Sequence, residues 1–264
     1  MTGPRVLRPE GSSPFVFFCD HASNVVPDEL GDLGLPKKEL ARHIAWDIGA
    51  AGVTEALSEI FDAPAILCGA SRLVIDANRQ IHALDLIPET SDGTRIPGNL
   101  SLTGAAKVAR IERWFTPYHD AVESVLLERE AKGARSIPVS IHSMTAQLAS
   151  APASPPRPWQ ISICSSQDRG LADIVLAALR RPGDVVVGDN QPYDLDLAVD
   201  YSIPFHALRR SIPQVQVEFR QDEIPDEIRQ QRWARRFADA LAQVLNLSAT
   251  RADPPVPPGL LLNQ

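Results

Sequence analysis

The chain has 264 residues, of which 44% are hydrophobic, and this length can bury a sizeable core in one large domain. Its formal net charge is −7 and no cluster of Lys and Arg stands out, which excludes the electrostatic footprint of a nucleic-acid or anionic-membrane surface. No apolar run approaches the roughly 20 residues that span a bilayer, and the N-terminus lacks the apolar core of a signal peptide. We therefore expect a soluble, cytoplasmic protein whose partner is a small molecule, with no nucleic-acid or membrane partner. The oligomeric state stays open.

Short apolar runs alternate along the chain with longer segments of helical period, which is typical of a layered α/β fold. The predicted strands are, in chain order, 14–20, 64–69, 72–77, 136–143, 159–164, 184–189 and 215–220. The predicted helices, in which apolar residues recur at spacings of three and four, cover about 38–61, 103–132, 169–181 and 225–246. This number of strands suits one sheet of about six to eight strands, with helices on both faces.

Segments rich in proline or polar residues are predicted to lie outside these elements. Proline cannot continue a helix or a central strand, so 149–159 is a predicted surface loop and 252–259 a predicted part of a C-terminal tail. We expect a single domain over residues 1–264, with the proline-rich tail beginning at about residue 250. The polar segment 91–103 is a predicted loop that could lie over a site. The three cysteines lie in separate apolar runs without the spacing of a zinc ribbon or redox pair, which indicates buried free thiols.

Polar residues that are able to do chemistry accompany three of the predicted strands. Asp20 and His21 end the first strand, His142 ends the fourth, and Glu218 lies near the end of the last. Ligand sites in open α/β sheets lie outside the carboxyl ends of strands, so these side chains are expected to converge. Two imidazoles and a carboxylate suit a hydrolytic zinc site, although the spacing is not HExxH. A serine nucleophile is the weaker alternative, because Ser23 and Ser143 lack a His and an Asp at a spacing that would support it.

Five sequence blocks extend this interpretation beyond spacing. In chain order they are HASNVVP (21–27), SRLVIDANR (71–79), PYHDAV (117–122), SIHSMT (140–145) and VQVEFRQD (215–222). Together they resemble the N-formylglutamate amidohydrolase family over roughly residues 14–245, and the layout is similar to that of zinc carboxypeptidases and aspartoacylases. The resemblance implies a three-layer, phosphorylase/hydrolase-like α/β fold with a mixed central sheet flanked by helices. It also implies hydrolysis, dependent on one Zn²⁺ ion, of the amide in an N-formyl or N-acyl amino acid such as N-formyl-glutamate.

The resemblance assigns His21 and His142 as metal ligands. Aspartoacylases carry a Glu three residues after the first His, where this chain has Asn24, and a neutral amide is a poor zinc ligand. The amidohydrolase family carries an Asp on its first helix, so the resemblance implies Asp47 as the third ligand, and we assign Asn24 to substrate binding. Asp47 follows His43 by four residues, so on a helix the two would share one face, and His43 could orient the carboxylate. The alternative is that this pair forms a solvated helix face.

Glu218 matches the late Glu of these enzymes, which takes a proton from the attacking water and passes it to the leaving nitrogen. A carboxylate on an otherwise apolar strand is costly to bury without a role, which independently supports a catalytic assignment. The alternative is a salt bridge from Glu218 to Arg220 or Arg209. In a regular strand, Arg220 would lie on the same face as Glu218.

Two arginines in the block SRLVIDANR are predicted to act on substrate. Arg79, together with Asn78, matches the family segment that binds the substrate carboxylate, and an arginine can hold a carboxylate bidentately. Arg72 resembles the arginine that stabilises the amide oxygen as negative charge develops. Asp76 is expected to brace this block. The alternative is that Arg72 and Asp76 form a structural ion pair.

The late segments of the chain leave the substrate side chain open. His206 matches a family histidine before the last core strand and is predicted to contact substrate, with a hydrogen-bonded core histidine as the alternative. The segment GDNQPY (188–193) resembles the family's substrate-loop region, but the glycine-rich RGG segment of the formylglutamate enzymes is missing. The open alternatives are an amidohydrolase for another N-acyl amino acid, or a non-catalytic relative that binds a small molecule.

Overall fold

A computed structural model of the chain describes residues 2–250, with side chains through residue 246. A mixed sheet of seven strands lies at its centre, in the order β1-β3-β2-β6-β9-β7-β8. The strands are β1 Arg5–Leu7, β2 Phe15–Cys19, β3 Ala65–Leu67, β4 Thr90–Ser91, β5 Thr94–Arg95, β6 Ile137–Met144, β7 Ile161–Cys164, β8 Val187–Asp189 and β9 Val215–Arg220, of which β4 and β5 form a separate hairpin. The pairs β1–β3 and β7–β9 are antiparallel, and the other pairs of the sheet are parallel.

Helices cover both faces of this sheet, so the predicted α/β architecture is confirmed. They are α1 Lys37–Leu40, α2 Ala50–Phe61, α3 Gly104–Arg110, α4 Thr116–Ala131, α5 Gly170–Arg180, α6 Ser202–His206 and α7 Glu227–Thr250, with a π-helical turn at Ile111–Phe115 that joins α3 to α4 and short 3-10 turns at Asp28–Leu30, Pro97–Asn99, Leu208–Arg210 and Gln221–Glu223. In the described part of the chain, no helix combines the length and the apolar character that crossing a membrane requires. The predicted proline-rich tail at 252–259 lies outside the described residues.

Strand β2 shows why the sheet has two covered faces. Phe15 and Phe17 belong to a buried cluster that also contains residues of α2, α5 and α7, whereas Val16 and Phe18 belong to a cluster that contains residues of α4 and α6. Successive strand residues point to opposite faces, so an unbroken apolar run indicates burial on both sides. The apolar run of β2 therefore predicts that this strand lies inside the sheet with both faces covered.

The predicted strand at 72–77 is wrong, because this segment forms turns. Its apolar residues Leu73, Val74 and Ile75 are buried in a cluster separate from the sheet, with other loop residues around them. A short apolar run indicates burial but does not specify the kind of structure that is buried. The backbone N–H of Asp76 donates to the Leu86 carbonyl at 2.7 Å, which holds this turn against the following segment.

The first predicted helix is interrupted between α1 and α2, and Asp47 lies in the intervening loop. The backbone N–H of Asp47 donates to the His21 carbonyl at 2.9 Å, which ties this loop to the end of β2. Gly49 has a φ of 83°, and a Cβ there would lie 2.2 Å from the Ile224 carbonyl oxygen, so the break requires glycine. The hypothesis that Asp47 and His43 share a helix face is therefore wrong.

Segment 91–103 begins in the hairpin β4–β5 rather than as an irregular loop. At the tip of this hairpin, Asp92 accepts hydrogen bonds from the backbone N–H groups of Ala149 at 3.0 Å and Ser150 at 2.8 Å. These bonds attach the hairpin to the proline-rich segment 149–159. The residues of 91–103 are not among those that line the cavity at the carboxyl ends of the central strands, described below.

Candidate functional site

A cavity of about 330 Å³ opens at the carboxyl ends of the central strands. His21 follows β2, His142 lies in β6 and Glu218 lies in β9, and all three line this cavity. Strands β2, β6 and β9 are adjacent and parallel, and the register places His142 directly opposite Glu218. Parallel neighbours end at the same edge of the sheet, so the strand order brings together the side chains that the sequence predicted to converge.

Three side chains in this cavity form a cluster that could hold a metal ion. His21 Nδ1 lies 3.3 Å from Asp47 Oδ2, and His142 Nδ1 lies 2.9 Å from the same oxygen. The possible ligand atoms of these three buried residues all lie within 4.8 Å of one another. Two imidazoles and one carboxylate, all on the cavity wall, make a donor set that leaves one side open, as in catalytic zinc sites.

The second nitrogen of each imidazole contacts a carboxylate. His21 Nε2 lies 2.7 Å from Asp76 Oδ1, and His142 Nε2 lies 3.2 Å from Asp20 Oδ2 and 2.9 Å from Ser140 Oγ. When Nε2 carries the proton toward such a carboxylate, Nδ1 presents a lone pair, and both lone pairs then face a carboxylate oxygen of Asp47. Three electron-rich atoms cannot satisfy one another, so the arrangement fits a divalent cation between them.

In the absence of such a cation, protons balance the same charges. Burial and the Arg72 cation oppose protonation of His21, but the Asp76 and Asp47 carboxylates raise its pKa above the ordinary value. Burial likewise opposes protonation of His142, but hydrogen bonds to Asp20 and Asp47 raise its pKa well above the ordinary value. Both shifts have the electrostatic cause that favours a metal ion, namely several buried carboxylates around two imidazoles.

Asp20 supports this cluster, and sequence reasoning gave it no role of its own. It is 1% exposed, and its Oδ1 accepts hydrogen bonds from Tyr118 Oη at 2.7 Å and Ser202 Oγ at 2.6 Å. Its Oδ2 accepts from Ser140 Oγ at 3.2 Å and faces His142. The block PYHDAV, which contains Tyr118, thus acquires a physical role in holding the carboxylate that orients His142.

Glu218 lies in the cavity wall with 6% of its surface exposed. Burial, partly offset by His142, raises the pKa of its carboxyl to about 7. The alternative salt bridges are not formed, because Arg220 pairs with Asp222 at 2.7 Å and Arg209 pairs with Glu123 at 3.5 Å. Glu218 is therefore a buried carboxyl whose pKa suits a group that accepts and returns a proton near neutral pH.

Arg72 contacts two carboxylates at the candidate metal site, those of Asp47 and Asp76. Its Nη2 lies 2.7 Å from Asp76 Oδ2 and its Nη1 lies 3.3 Å from Asp47 Oδ1, so the ion pair with Asp76 that was the alternative interpretation is present. The guanidinium also lines the cavity, where it is close enough to Glu218 for the two charges to interact. The ion pair and the predicted contact with substrate are therefore compatible.

Arg79 and Asn78 both line the cavity, but their polar groups are already engaged. Arg79 Nε donates to Asp85 Oδ2 at 2.9 Å, and its Nη1 lies 3.8 Å from Asp200 Oδ1. Asn78 Nδ2 donates to Asp200 Oδ1 at 2.9 Å, and its Oδ1 accepts from the backbone N–H of Ser202 at 2.9 Å. Asn78 therefore holds the segment before α6, while Arg79 retains a face toward the cavity.

Two residues assigned to substrate binding, Asn24 and His206, are not among those that line the cavity. Asn24 Nδ2 donates to the Leu40 carbonyl at 2.9 Å and ties the loop after β2 to α1. His206 is fully buried between His119, 3.0 Å away, and Glu123, 3.2 Å away. The alternative interpretation of His206 as a hydrogen-bonded core histidine is the one that the structure supports.

Sequence reasoning missed other cavity residues, including Arg157, Tyr193, Asp200 and Gln216. Gln216 is 4% exposed, and its Oε1 is buried without a hydrogen-bond partner among the described residues. Gln216 lies two residues before Glu218 on the same strand, and alternate strand residues share a face, so the sequence could have predicted that both face the cavity. Arg157 and Tyr193 lie in segments far apart in the sequence, and nothing local to either one predicts that they meet.

The fold and this cavity define an α/β protein with a mixed central sheet and a candidate metal centre at the carboxyl ends of its strands. The sequence matches the family described as N-formylglutamate amidohydrolase over residues 13–224, so the chain belongs to that family of amide-bond hydrolases, and the predicted resemblance is confirmed. Among curated protein sequences, none matches the chain.

Two solved structures are similar over nearly their whole length. The gene product Atu2144 from Agrobacterium tumefaciens is 33% identical, with a TM-score of 0.87 over 95% of this chain and 96% of that one. An N-formylglutamate amidohydrolase from Ralstonia eutropha JMP134 is 21% identical, with a TM-score of 0.66 over 95% of this chain and 98% of that one. Because the second structure is only 21% identical, its similarity supports the fold alone.

Proposed function

We propose that this protein is a zinc-dependent amidohydrolase that cleaves the amide of an N-formyl amino acid such as N-formyl-glutamate, releasing formate and the amino acid. The observation that carries the proposal is the buried cluster of His21, Asp47 and His142 beside the Glu218 carboxyl in one cavity. Family membership supports the amide-bond chemistry. The partner in this proposal is the small-molecule substrate.

The roles of the residues follow from where their polar atoms lie. His21, Asp47 and His142 would hold one divalent ion, which when bound polarises the amide carbonyl and lowers the pKa of water. Glu218 takes a proton from the attacking water at a carboxylate oxygen and gives it to the leaving nitrogen, for which a pKa of about 7 is well matched.

The two arginines act on charges of the substrate. Arg72 presents a guanidinium to the cavity while Asp76 and Asp47 fix its position, so it stabilises negative charge on the amide oxygen without having to reorganise. Arg79 lies on another part of the same cavity and binds the α-carboxylate. The formyl group would thus lie at the end of the cavity with His21, Asp47 and His142, and the amino-acid part would extend toward Arg79.

Metal analysis combined with a hydrolysis assay tests this function. We expect the purified protein to contain about one zinc per chain, to hydrolyse N-formyl-L-glutamate with release of formate, and to lose that activity after chelation until zinc is restored. A panel with N-acetyl and other N-acyl amino acids separates the formyl preference from a different acyl specificity. Protein that binds no metal and releases no acyl product from any panel member contradicts the proposal and favours a non-catalytic binding protein.

A further inference from the structure

Three arginines line the cavity, and two of them form close ion pairs with carboxylates. Arg72 is paired with Asp47 and Asp76, and Arg79 is paired with Asp85. Arg157 differs, because its guanidinium takes part in no ion pair within the described part of the chain. Its Nη1 donates instead to the Thr145 carbonyl at 3.1 Å. A guanidinium on a concave wall without a carboxylate partner is a ready site for an anionic ligand.

The position of Arg157 is fixed by contacts on its side chain and on its backbone. Its Nη2 donates to Tyr193 Oη at 2.9 Å, and its guanidinium carbon lies 5.0 Å from the centre of the Tyr193 ring. Its backbone N–H donates to the Ala146 carbonyl at 2.8 Å, and its carbonyl accepts from Arg220 Nη1 at 3.1 Å. Prolines on both sides of Arg157 further restrict the backbone. Such preorganisation reduces the entropy lost when a ligand binds.

Two segments that the proposed reaction did not use meet at this pair. Arg157 lies near the end of the proline-rich segment 149–159, and Tyr193 ends the segment 188–193. Arg79 comes from a different part of the fold, since it follows β3, whereas Arg157 precedes β7. The cavity therefore presents two guanidinium groups from separate segments. One could bind the α-carboxylate of an amino acid and the other a carboxylate on its side chain.

We propose that Arg157, held by Tyr193, is the specificity-determining residue that binds the side-chain carboxylate of the substrate. In this assignment the α-carboxylate of the proposed substrate binds Arg79 and its side-chain carboxylate binds Arg157. This inference rests on the proposed function for the reacting end of the substrate. It assigns the side-chain selectivity to an Arg–Tyr pair on the cavity wall.

Competing substrates that differ only in charge test the assignment. The assay compares kcat/KM for N-formyl-L-glutamate and N-formyl-L-glutamine, which have nearly the same shape, in the wild type and in Arg157→Gln. We expect the wild type to prefer the acid, and Arg157→Gln to lower kcat/KM for the acid roughly 10- to 100-fold with little change for the amide, as for loss of charge-assisted hydrogen bonds. Arg157→Lys should restore part of the preference because it keeps the charge.

Two further variants separate recognition from folding. Tyr193→Phe keeps the ring but removes the hydroxyl that accepts from Arg157, so the preference should fall by less than in Arg157→Gln. Arg209→Gln is the matched control, because Arg209 also lies over an aromatic ring, that of Phe205 at 4.1 Å, but is not in the lining of this cavity. This control should keep the wild-type ratio. Equal losses for both substrates in Arg157→Gln, or an unchanged ratio, overturn the inference.

A binding measurement distinguishes failure of this inference from failure of the proposed function. The probes are the same two N-formyl amino acids, titrated calorimetrically into the Glu218→Gln protein with and without the Arg157→Gln change. Tighter binding of the acid that depends on Arg157 supports the inference even if the wild type hydrolyses neither compound. Equal binding of the two compounds, or no binding of either, overturns it.

Discussion

Each candidate histidine ligand is held at its second nitrogen by a carboxylate, and the two carboxylates are supported differently. Asp76 also pairs with Arg72, whereas Asp20 receives hydroxyl groups from Tyr118, Ser202 and Ser140. Outer partners of this kind fix the ring orientation and increase the basicity of the metal-binding nitrogen. Asp20 and Asp76 are therefore part of the proposed metal site together with the three candidate ligands.

Replacement of Asp20 by Asn should weaken metal binding. The amide leaves the shape unchanged but removes the negative charge facing His142 Nε2 at 3.2 Å, so we expect zinc affinity to fall about 10- to 100-fold. Competition with a chromophoric chelator measures the affinity directly, independently of activity. Asp62→Asn, on an exposed carboxylate bonded to Ser12, is the control and should bind zinc as the wild type does. Unchanged affinity in Asp20→Asn contradicts the positioning role.

Replacement of Glu218 by Gln should remove the group that transfers the proton while metal binding by His21, Asp47 and His142 is retained. The amide is nearly the same size, but it cannot accept a proton from water, so kcat should fall by roughly 10²- to 10⁴-fold. Zinc content should stay near that of the wild type, because Glu218 is not one of the three clustered ligands. Turnover at the wild-type rate in this variant would show that another group moves the proton.

At the scale of elements, strand order and register decide the geometry of the site. His142 and Glu218 lie opposite each other on β6 and β9, so a slip of one residue would turn either side chain to the other face of the sheet. The helices α2, α5 and α7 pack against one face of these strands and hold that register. Core packing far from the cavity is thus a condition for the arrangement of the side chains in the candidate site.

A substitution in α7 tests how much stability this packing contributes. Phe237 is fully buried and its ring lies 5.7 Å from that of Phe219 in β9, so Phe237→Ala should lower the free energy of unfolding by about 3–5 kcal/mol. Denaturant unfolding measures this loss. Ile228→Ala changes a residue of the same helix that is 82% exposed and should cost no more than about 0.5 kcal/mol. Similar losses in the two variants would contradict the assigned packing.

At the scale of the whole molecule, buried charges link stability to pH and to metal. Burial opposes ionisation of Asp20 and Asp47, but the neighbouring histidines lower the pKa of both carboxyls, so their contribution to stability is present above about pH 4 and lost in acid. For His21 and His142, whose pKa values are raised, the contribution is present below about pH 6.5 and lost as pH rises through the raised values. The metal-free protein is thus most stable between these limits.

Metal should remove the alkaline part of this dependence. A bound cation replaces the histidine protons, so chelated protein should lose unfolding free energy between pH 6 and pH 9 while zinc-loaded protein should not. Urea unfolding at several pH values, with zinc or with chelator, makes the comparison. Identical pH profiles in the two conditions would show that no metal ion exchanges with protons at this cluster.

Many features of this protein follow from local sequence alone. Unbroken apolar runs such as the one at β2 predict strands covered on both faces, and six of the seven predicted strands are present in the sheet. A carboxylate on such a strand, Glu218, and a histidine at the end of another, His21, stand out because burying them is costly. These signals need only a few neighbouring residues, and so the sequence determined the fold class and the main chemical groups.

Other features depend on contacts between distant residues. The adjacency of β2, β6 and β9, the placement of Asp47 by a loop tied to His21, and the meeting of Arg157 with Tyr193 all join segments that are separated along the chain. The periodicity of 72–77 indicated burial but not the turns that achieve it. Local sequence pattern identifies the residues that are costly to bury. Which of them share a cavity depends on strand order and loop anchoring, because proximity across the sheet joins segments that are distant along the chain.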